Sequence, residues 1–328
     1  MNVYIITEGG KNIGFGHITR CKSIYQAFRE RNINPLFIVN GDQSVTDLID
    51  DTNYKIFNWI SEKDELYRLL ENSDIAIIDS YLASYGTYKN ISNLTRTPVY
   101  IDDNNRLEYP SGTVVNGSIY AEELDYPENE NINYLLGIKY FPLRKAFWNV
   151  PKKKINSEIE SIMITFGGDD LRELTPQVIK IARHSVPNVN INVVIGKGFS
   201  EKNIVKIKNK ENENIRLNYN LSAKDMKNLM IESDIAISGC GQTLYELAAT
   251  GTPTIGIGIA ENQMNNITSW VDKGFIEYAG FWNDQVLEDK LQEKINILSK
   301  YKQRNKKYVI GKENISGNNS INIVNCLI

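Results

Sequence analysis

The chain contains the stretch Ile237-Ser238-Gly239-Cys240-Gly241-Gln242-Thr243-Leu244-Tyr245-Glu246-Leu247, which runs from an apolar strand through a turn of small residues into a helix. The hydroxyls of Ser238 and Thr243 and the free backbone N–H groups around Gly241 would converge at the helix start, where a diphosphate could bind without a metal. Glu246 would either accept hydrogen bonds from ribose hydroxyls or only place a favourable charge near the helix N-terminus. The stretch predicts an α/β domain with an anion-binding turn.

The same alternation of strands and helices extends along the whole chain. Short β-branched strands are expected at Val3–Ile6, Leu36–Val39, Ile75–Ile78, Val99–Ile101, Ile162–Phe166, Ile191–Ile195, Ile235–Ile237 and Thr254–Ile257. Helices are expected at 17–31, 172–184, 222–232 and 242–250. Such alternation indicates parallel sheets covered on both faces, and two series of it indicate two doubly wound, Rossmann-like domains.

The predicted domain division follows from where the alternation restarts. An N-terminal domain is expected over residues 1–150 and a C-terminal domain over 158–328, the latter ending in a helical tail. Between them, the polar and charged residues 151–157 are expected to form a linker. The basic stretch Lys300–Lys307 is expected to be a solvated helix end, with a membrane-surface patch as the weaker alternative.

Composition excludes several classes of protein. The 328 residues carry 37 Lys+Arg and 40 Asp+Glu, a formal charge of -3, so nothing indicates a nucleic-acid partner. No apolar run approaches the ~20 residues that span a bilayer, and no charged leader precedes the first strand. Three distant cysteines indicate neither a disulfide framework nor a metal site. A cytoplasmic protein, without stable membrane insertion and monomeric, is expected.

A second motif lies in the turn after the first strand: Gly14-Phe15-Gly16-His17-Ile18-Thr19-Arg20. Gly14 and Gly16 would let the backbone approach a ligand, and the carboxyl end of a first parallel strand is a usual place for a ligand crevice. The motif is not a dinucleotide fingerprint, because no Gly-x-Gly-x-x-Gly occurs. A catalytic His17 is favoured over a structural one.

Two further loops occupy equivalent places in the second half. Gly167 and Gly168 follow a strand and expose backbone N–H groups, although such a pair also forms ordinary turns. Asn262 and Gln263 follow another strand, where amides would suit sugar hydroxyls or N-acetyl groups. No Asp-x-Asp pattern or Cys/His cluster emerges, so neither a metal nor another cofactor is expected.

Together, the Gly14–Arg20 turn, the Gly-Gly loop and the Ser238–Glu246 segment resemble the UDP-2,4-diacetamido-2,4,6-trideoxy-sugar hydrolases of pseudaminic acid biosynthesis. The likeness extends over roughly residues 1–280 and includes Ile77-Ile78-Asp79-Ser80-Tyr81 and the stretch around Arg144. It implies the GT-B fold, with two Rossmann-like domains facing across a cleft. The family often has His where Ser80 stands, which leaves the identity of the sugar open.

The resemblance also implies roles for individual residues. His17 would be the catalytic base, and Ser238, Thr243 and Glu246 would hold UDP. The predicted substrate-binding residues are Gly14, Gly16, Arg20, Tyr81, Arg144, Gly168, Asn262 and Gln263. The predicted nucleotide-binding residues are Gly167, Ser238, Gly241, Thr243 and Glu246.

The resemblance therefore implies a metal-independent hydrolase of UDP-2,4-diacetamido-2,4,6-trideoxy-β-L-altropyranose or a close UDP-diacetamido sugar. His17 would remove a proton from water for an inverting attack at the anomeric carbon. Two alternatives remain. A glycosyltransferase of surface or spore-coat polysaccharide synthesis would use His17 on an acceptor hydroxyl and release little UDP without acceptor. A non-catalytic nucleotide-sugar-binding subunit would tolerate His17→Ala.

Overall fold

The computed structural model describes residues 1–11, 13–211 and 213–328, which form two compact α/β units. Unit 1 comprises Met1–Trp148 and Asn318–Ile328, and unit 2 comprises Asn149–Gly317. Each unit contains one parallel sheet with helices between most of the successive strands. The predicted pair of doubly wound α/β domains is therefore confirmed.

Unit 1 has a seven-stranded sheet in the order β3-β2-β1-β4-β5-β6-β7. Its strands are β1 (Val3–Gly9), β2 (Leu36–Gly41), β3 (Tyr54–Ile56), β4 (Ser73–Asp79), β5 (Thr95–Ile101), β6 (Gly112–Asn116) and β7 (Ile132–Leu136). Its helices up to this point are α1 (Gly16–Glu30), α2 (Thr46–Ile49), α3 (Lys63–Leu70) and α4 (Tyr85–Leu94).

The central strands of unit 1 determine where its candidate site lies. β1 pairs in parallel with β4, Ile5 lies opposite Ile77, and both side chains are buried. Helix α1 buries an apolar face that includes Ile18, Cys21 and Phe28 against this sheet. Because parallel strands end at the same edge, the turn after β1 and the last residue of β4 become neighbours.

Unit 2 has a six-stranded sheet in the order β10-β9-β8-β11-β12-β13. Its strands are β8 (Ser161–Thr165), β9 (Asn190–Ile195), β10 (Ile215–Tyr219), β11 (Ile235–Gly239), β12 (Thr254–Gly258) and β13 (Ile276–Phe281). Its helices are α5 (Thr175–Ser185), α6 (Glu201–Lys208), α7 (Ala223–Glu232), α8 (Thr243–Thr250), α9 (Met264–Asp272), α10 (Leu287–Ser299) and α11 (Tyr301–Asn314).

The last helix, α12 (Asn319–Leu327), corrects the predicted C-terminal boundary, because residues 318–328 belong to unit 1. It packs against α1 and buries Ile323 and Val324. Two hydrogen bonds fix its start: Asn319 Nδ2 donates to Ile138 O at 2.7 Å and Ser320 Oγ donates to Leu143 O at 2.9 Å. The tail is thus part of the N-terminal unit's core.

The segment predicted as a linker packs onto unit 2. Lys153 is buried, and its ammonium group donates to Met230 O at 2.9 Å and to Ser233 O, both near the end of α7. Arg304 is also buried and donates to the carbonyls of Asn156 and Ser157 at 2.7 and 2.9 Å. The stretch around Arg304 is therefore not a wholly solvated helix end, because unpaired carbonyls attract its cation inward.

No helix among the described residues is both long and apolar enough to cross a membrane.

Candidate active site

His17 lies in the first turn of α1, directly after the glycine-rich turn. Gly10 and Gly14 pair across this turn, with Gly14 N donating to Gly10 O at 2.8 Å. Gly14 has a φ of +88°, in the region that favours glycine, and a Cβ at Gly14 or Gly16 would meet no other atom. The turn therefore presents open backbone beside the histidine.

Asp79, the last residue of β4, orients the imidazole. The Nδ1 atom of His17 lies 2.7 Å from Oδ1 of Asp79. Asp79 is fully buried; burial raises the pKa of its carboxyl group, but the charge and hydrogen bonds of Arg20 outweigh this, and the pKa lies well below its usual value. Nη2 of Arg20 also lies 3.1 Å from Nδ1, but the contact with ionised Asp79 is shorter and requires a proton on Nδ1. We therefore assign the proton of the neutral imidazole to Nδ1, which leaves Nε2 as an acceptor.

Arg20 holds two carboxylates rather than facing a substrate. Its Nε and Nη2 donate to the two oxygens of Asp79, each at 2.5 Å, and its Nη1 donates to those of Asp103 at 2.6 and 2.8 Å. The side chain is buried. We therefore correct the prediction of direct substrate binding: these ion pairs make Arg20 a positioning residue beneath His17.

Tyr81 stands beside His17, as the predicted sugar site requires. Its ring meets the imidazole edge-on, with centroids 4.8 Å apart, and its hydroxyl donates to Oδ2 of Asp103 at 2.6 Å. The side chain is nonetheless 48% exposed. The structure thus brings together His17, Tyr81 and Arg20. It also places Asp79 and Asp103 beside them, to which sequence analysis assigned no role.

Ser80, where the resembling family often has His, is buried. Its hydroxyl donates to the carboxylate of Glu8, which also accepts from the backbone N–H groups of Tyr81 at 2.7 Å and Leu82 at 3.1 Å. Ser80 and Glu8 together therefore fix the backbone that carries Tyr81. The departure from the family pattern at Ser80 therefore lies in a residue that supports the backbone of the site, and not in a residue exposed at its surface.

Arg144 lies after β7, just before a short 3-10 turn, with its guanidinium 5.3 Å from the centroid of the Phe147 ring. The contacts of Arg144 do not test its expected role with the substrate, which stays a prediction.

In unit 2, Gly167 and Gly168 lie in the loop after β8. Gly167 has a φ of +79°, and a Cβ at either residue would meet no other atom. Gly168 O accepts from Gly198 N at 2.9 Å, which ties the loop to the segment after β9. Because Thr165 of β8 lies opposite Ser238 of β11, this loop and the Ser238–Gly241 turn occupy the same edge of the sheet.

The turn that enters α8 is held from behind by α9. Asn266 donates from Nδ2 to Cys240 O at 2.8 Å and accepts from the Tyr245 hydroxyl at 2.8 Å. Gln263 accepts from Ile259 N at 3.0 Å, so its amide oxygen is engaged, whereas Asn262 is exposed. These contacts preorganise the backbone around Gly241.

Backbone donors, more than hydroxyls, characterise the start of α8. Leu244 N and Tyr245 N donate to Gly241 O and Gln242 O at 3.1 Å, and the N–H groups before them precede the first helical bonds. Thr243 is half-buried and Glu246 is buried in the first turn. Ser238 is buried and donates to Gly239 O at 2.9 Å, which corrects the expectation that its hydroxyl faces a diphosphate.

Arg172 is a cation at this edge that the sequence did not single out. It follows the Gly167–Gly168 loop, donates from Nε to Ile259 O at 3.2 Å, and lies over the Trp282 ring at 4.4 Å from the centroid. Within the described residues it forms no ion pair. Only the order of the strands brings Arg172 and Trp282 together, so no sequence signal could have paired them.

Across residues 1–11, 13–211 and 213–328, no group of three or more His, Cys, Asp or Glu side chains has an arrangement suited to a metal ion.

Comparisons with known proteins define the class of fold. Residues 161–316 match the glycosyltransferase family 28 C-terminal domain. The structure of MurG from Acinetobacter baumannii aligns with a TM-score of 0.68 at 12% identity, covering 100% of this chain and 99% of that one. Anabaena Alr3699/HepE in complex with UDP aligns with a TM-score of 0.68 at 12% identity, covering 99% and 98%. The chain has the GT-B fold.

Three relatives are similar in sequence. An uncharacterised protein of Methanocaldococcus jannaschii is 28% identical over 78% of this chain and 55% of its own length. The Helicobacter pylori pseudaminic acid cytidylyltransferase and UDP-2,4-diacetamido-2,4,6-trideoxy-beta-L-altropyranose hydrolase is 24% identical over 80% and 46%. The Bacillus subtilis spore coat polysaccharide biosynthesis protein SpsG is 22% identical over 98% and 96%. The chain thus spans about half the length of the first two relatives.

Proposed function

We propose that this protein is a GT-B-fold enzyme that acts on a nucleotide sugar, and that it hydrolyses UDP-2,4-diacetamido-2,4,6-trideoxy-β-L-altropyranose or a close UDP-diacetamido sugar. The observation that carries the proposal is the 2.7 Å contact between His17 Nδ1 and ionised Asp79. This contact leaves Nε2 as a base beside the exposed Tyr81. The Helicobacter pylori relative, whose name includes this hydrolase, supports the choice of substrate.

In the proposed reaction, His17 Nε2 accepts a proton from a water molecule as the water oxygen bonds to the anomeric carbon. The bond from that carbon to the diphosphate oxygen breaks, and UDP leaves with the electron pair, so the anomeric configuration is inverted. A positioned base of this kind contributes roughly 10²–10⁴-fold in rate. Tyr81, Asn262 and Gln263 are the proposed contacts to the sugar.

Unit 2 is the proposed holder of UDP. The open backbone of Gly167 and Gly168, the N–H groups at the start of α8 and the Arg172 guanidinium offer donors and positive charge to a diphosphate. Such donors stabilise the charge that develops on departing UDP, so we propose that no metal is required. Glu246, in the first turn of α8, is the proposed partner of the ribose hydroxyls.

A glycosyltransferase is the second candidate, and two comparisons favour it. Residues 161–316 match a glycosyltransferase C-terminal domain, and SpsG matches over nearly its whole length. In that reaction His17 would take a proton from an acceptor hydroxyl, and the same UDP contacts would serve. The two candidates differ in whether water suffices as the nucleophile.

The test is UDP release from UDP-2,4-diacetamido-2,4,6-trideoxy-β-L-altrose with no acceptor and with EDTA present. We expect continuous turnover by the wild type and a loss of roughly a hundredfold or more for His17→Ala. His184→Ala is the matched control, because His184 is exposed in the last turn of α5, whereas the Gly167–Gly168 loop precedes the first turn of that helix. Tight binding of the UDP-sugar without release would exclude the hydrolase and favour the transferase.

A further inference from the structure

Tyr81 is an exposed side chain that is held through its backbone, its ring and its hydroxyl group. Its backbone N–H donates to Glu8, its ring rests edge-on against His17, and its hydroxyl donates to Asp103. The guanidinium of Arg106 also lies over the ring, 5.3 Å from its centroid. An aromatic ring that is 48% exposed yet fixed at its backbone, face and hydroxyl is preorganised for contact with something outside the fold.

The hydroxyl hydrogen of Tyr81 is already committed. Asp103 accepts it at 2.6 Å, and both Asp103 oxygens are held in place by Nη1 of Arg20 at 2.6 and 2.8 Å. Burial, reinforced by the Asp103 charge, raises the pKa of the Tyr81 phenol well above its usual value, so the phenol stays protonated. A phenol with its one hydrogen engaged offers a ligand only oxygen lone pairs.

We propose that Tyr81, with its hydroxyl oriented by Asp103, acts as a hydrogen-bond acceptor that selects sugars carrying an N–H or O–H donor beside the reacting carbon. This inference rests on the proposed function, for whose substrate the donor is an acetamido N–H. Asp103 is the positioning residue and Tyr81 makes the contact. A sugar with a hydrogen-bond acceptor beside the reacting carbon would bind more weakly, because its lone pairs would repel those of the Tyr81 hydroxyl oxygen.

The test compares two ligands that differ only in this donor. One is UDP-2,4-diacetamido-2,4,6-trideoxy-β-L-altrose, and the other is its analogue with an acetoxy group in place of the 2-acetamido group alone, which lacks only the N–H donor beside the reacting carbon. Dissociation constants are measured by calorimetry in a His17→Asn background, which blocks turnover. We expect the diacetamido sugar to bind about 10-fold more tightly, as one mismatched hydrogen bond predicts.

Adding Tyr81→Phe or Asp103→Asn should bring the ratio of the two dissociation constants close to one. Tyr85→Phe, on the exposed first residue of α4, is the matched control and should leave the ratio unchanged. A ratio that survives either Tyr81→Phe or Asp103→Asn would overturn the inference, as would equal or absent binding of both ligands in the background protein.

The proposed hydrolase function and the proposed role of Tyr81 can be refuted independently. If the ratio behaves as expected but the wild type releases no UDP, the hydrolase is refuted and the acceptor role of Tyr81 stands. If the wild type hydrolyses the sugar while the ratio ignores these substitutions, only the role of Tyr81 is refuted.

Discussion

His17, Asp79 and Arg20 form a cluster in which each side chain fixes the next. Asp79 is fully buried and would be costly as an isolated charge, but three bonds from Arg20 and His17 compensate for its desolvation. The same bonds place the proton of the imidazole on Nδ1. Structural stability and base orientation therefore depend on the same carboxylate, while the base itself contributes little to stability.

Substitutions of Asp79 and of His17 should separate the stabilisation of the fold from the orientation of the base. Asp79→Asn removes one of the two counter-charges of buried Arg20 and should lower the free energy of unfolding by about 3 kcal/mol. His17→Ala removes one partly exposed hydrogen-bonding partner and should cost about 1 kcal/mol. Urea unfolding at neutral pH measures both, and equal losses would contradict this assignment.

The pH dependence of the free energy of unfolding should also differ between the wild type and Asp79→Asn. Because the pKa of Asp79 is depressed in the folded protein, the stability it contributes is present above the unfolded pKa of about 4 and is lost as pH falls. The Asp79→Asn variant has no carboxyl group to titrate at this position. Between neutral pH and about pH 3, the variant should therefore lose less stability than the wild type.

Among the elements, the strands that sequence analysis found are the central ones of each sheet, and most of those it missed are the edges. β3 and β7 border the sheet of unit 1, and β10 and β13 border that of unit 2. Edge strands are half-exposed, so β3 and β10 alternate polar and apolar residues instead of forming an apolar run. The fifth missed strand, β6, lies inside the sheet of unit 1, between β5 and the edge strand β7.

The candidate site shows the same division between local and long-range information. The Gly14–Arg20 turn could be recognised because glycines and histidine lie together in sequence. Asp79 and Asp103 could not be paired with Arg20, since they lie 59 and 83 residues away and only the strand order brings them close. Likewise, the return of α12 to unit 1 leaves no local signal, because an amphipathic helix does not specify the surface it covers.

Helix α12 should stabilise the unit that carries the proposed base. Ile323 is fully buried where α12 meets α1, so Ile323→Ala should lower the free energy of unfolding by about 2–4 kcal/mol. Val309→Ala, on the exposed face of α11, is the control and should change it by less than about 0.5 kcal/mol. Equal effects in urea unfolding would show that α12 does not contribute to the core of unit 1.

For the whole molecule, the proposal assigns the base to unit 1 and UDP to unit 2. The GT-B fold by itself does not distinguish water from a sugar hydroxyl as the nucleophile, because function depends on the site and not on the fold. Both candidate reactions break the bond between the anomeric carbon and the diphosphate oxygen, so the distinction depends on which oxygen replaces the diphosphate. An isotope in the water reports on the origin of that oxygen.

The decisive measurement is the reaction of UDP-2,4-diacetamido-2,4,6-trideoxy-β-L-altrose in ¹⁸O-labelled water without acceptor, with products analysed by mass spectrometry at early times. Attack of His17-activated water at the anomeric carbon predicts label in the free sugar and none in UDP, with formation of the labelled sugar almost abolished in His17→Ala. Label in UDP, or the same rate of formation in His17→Ala, would contradict the account.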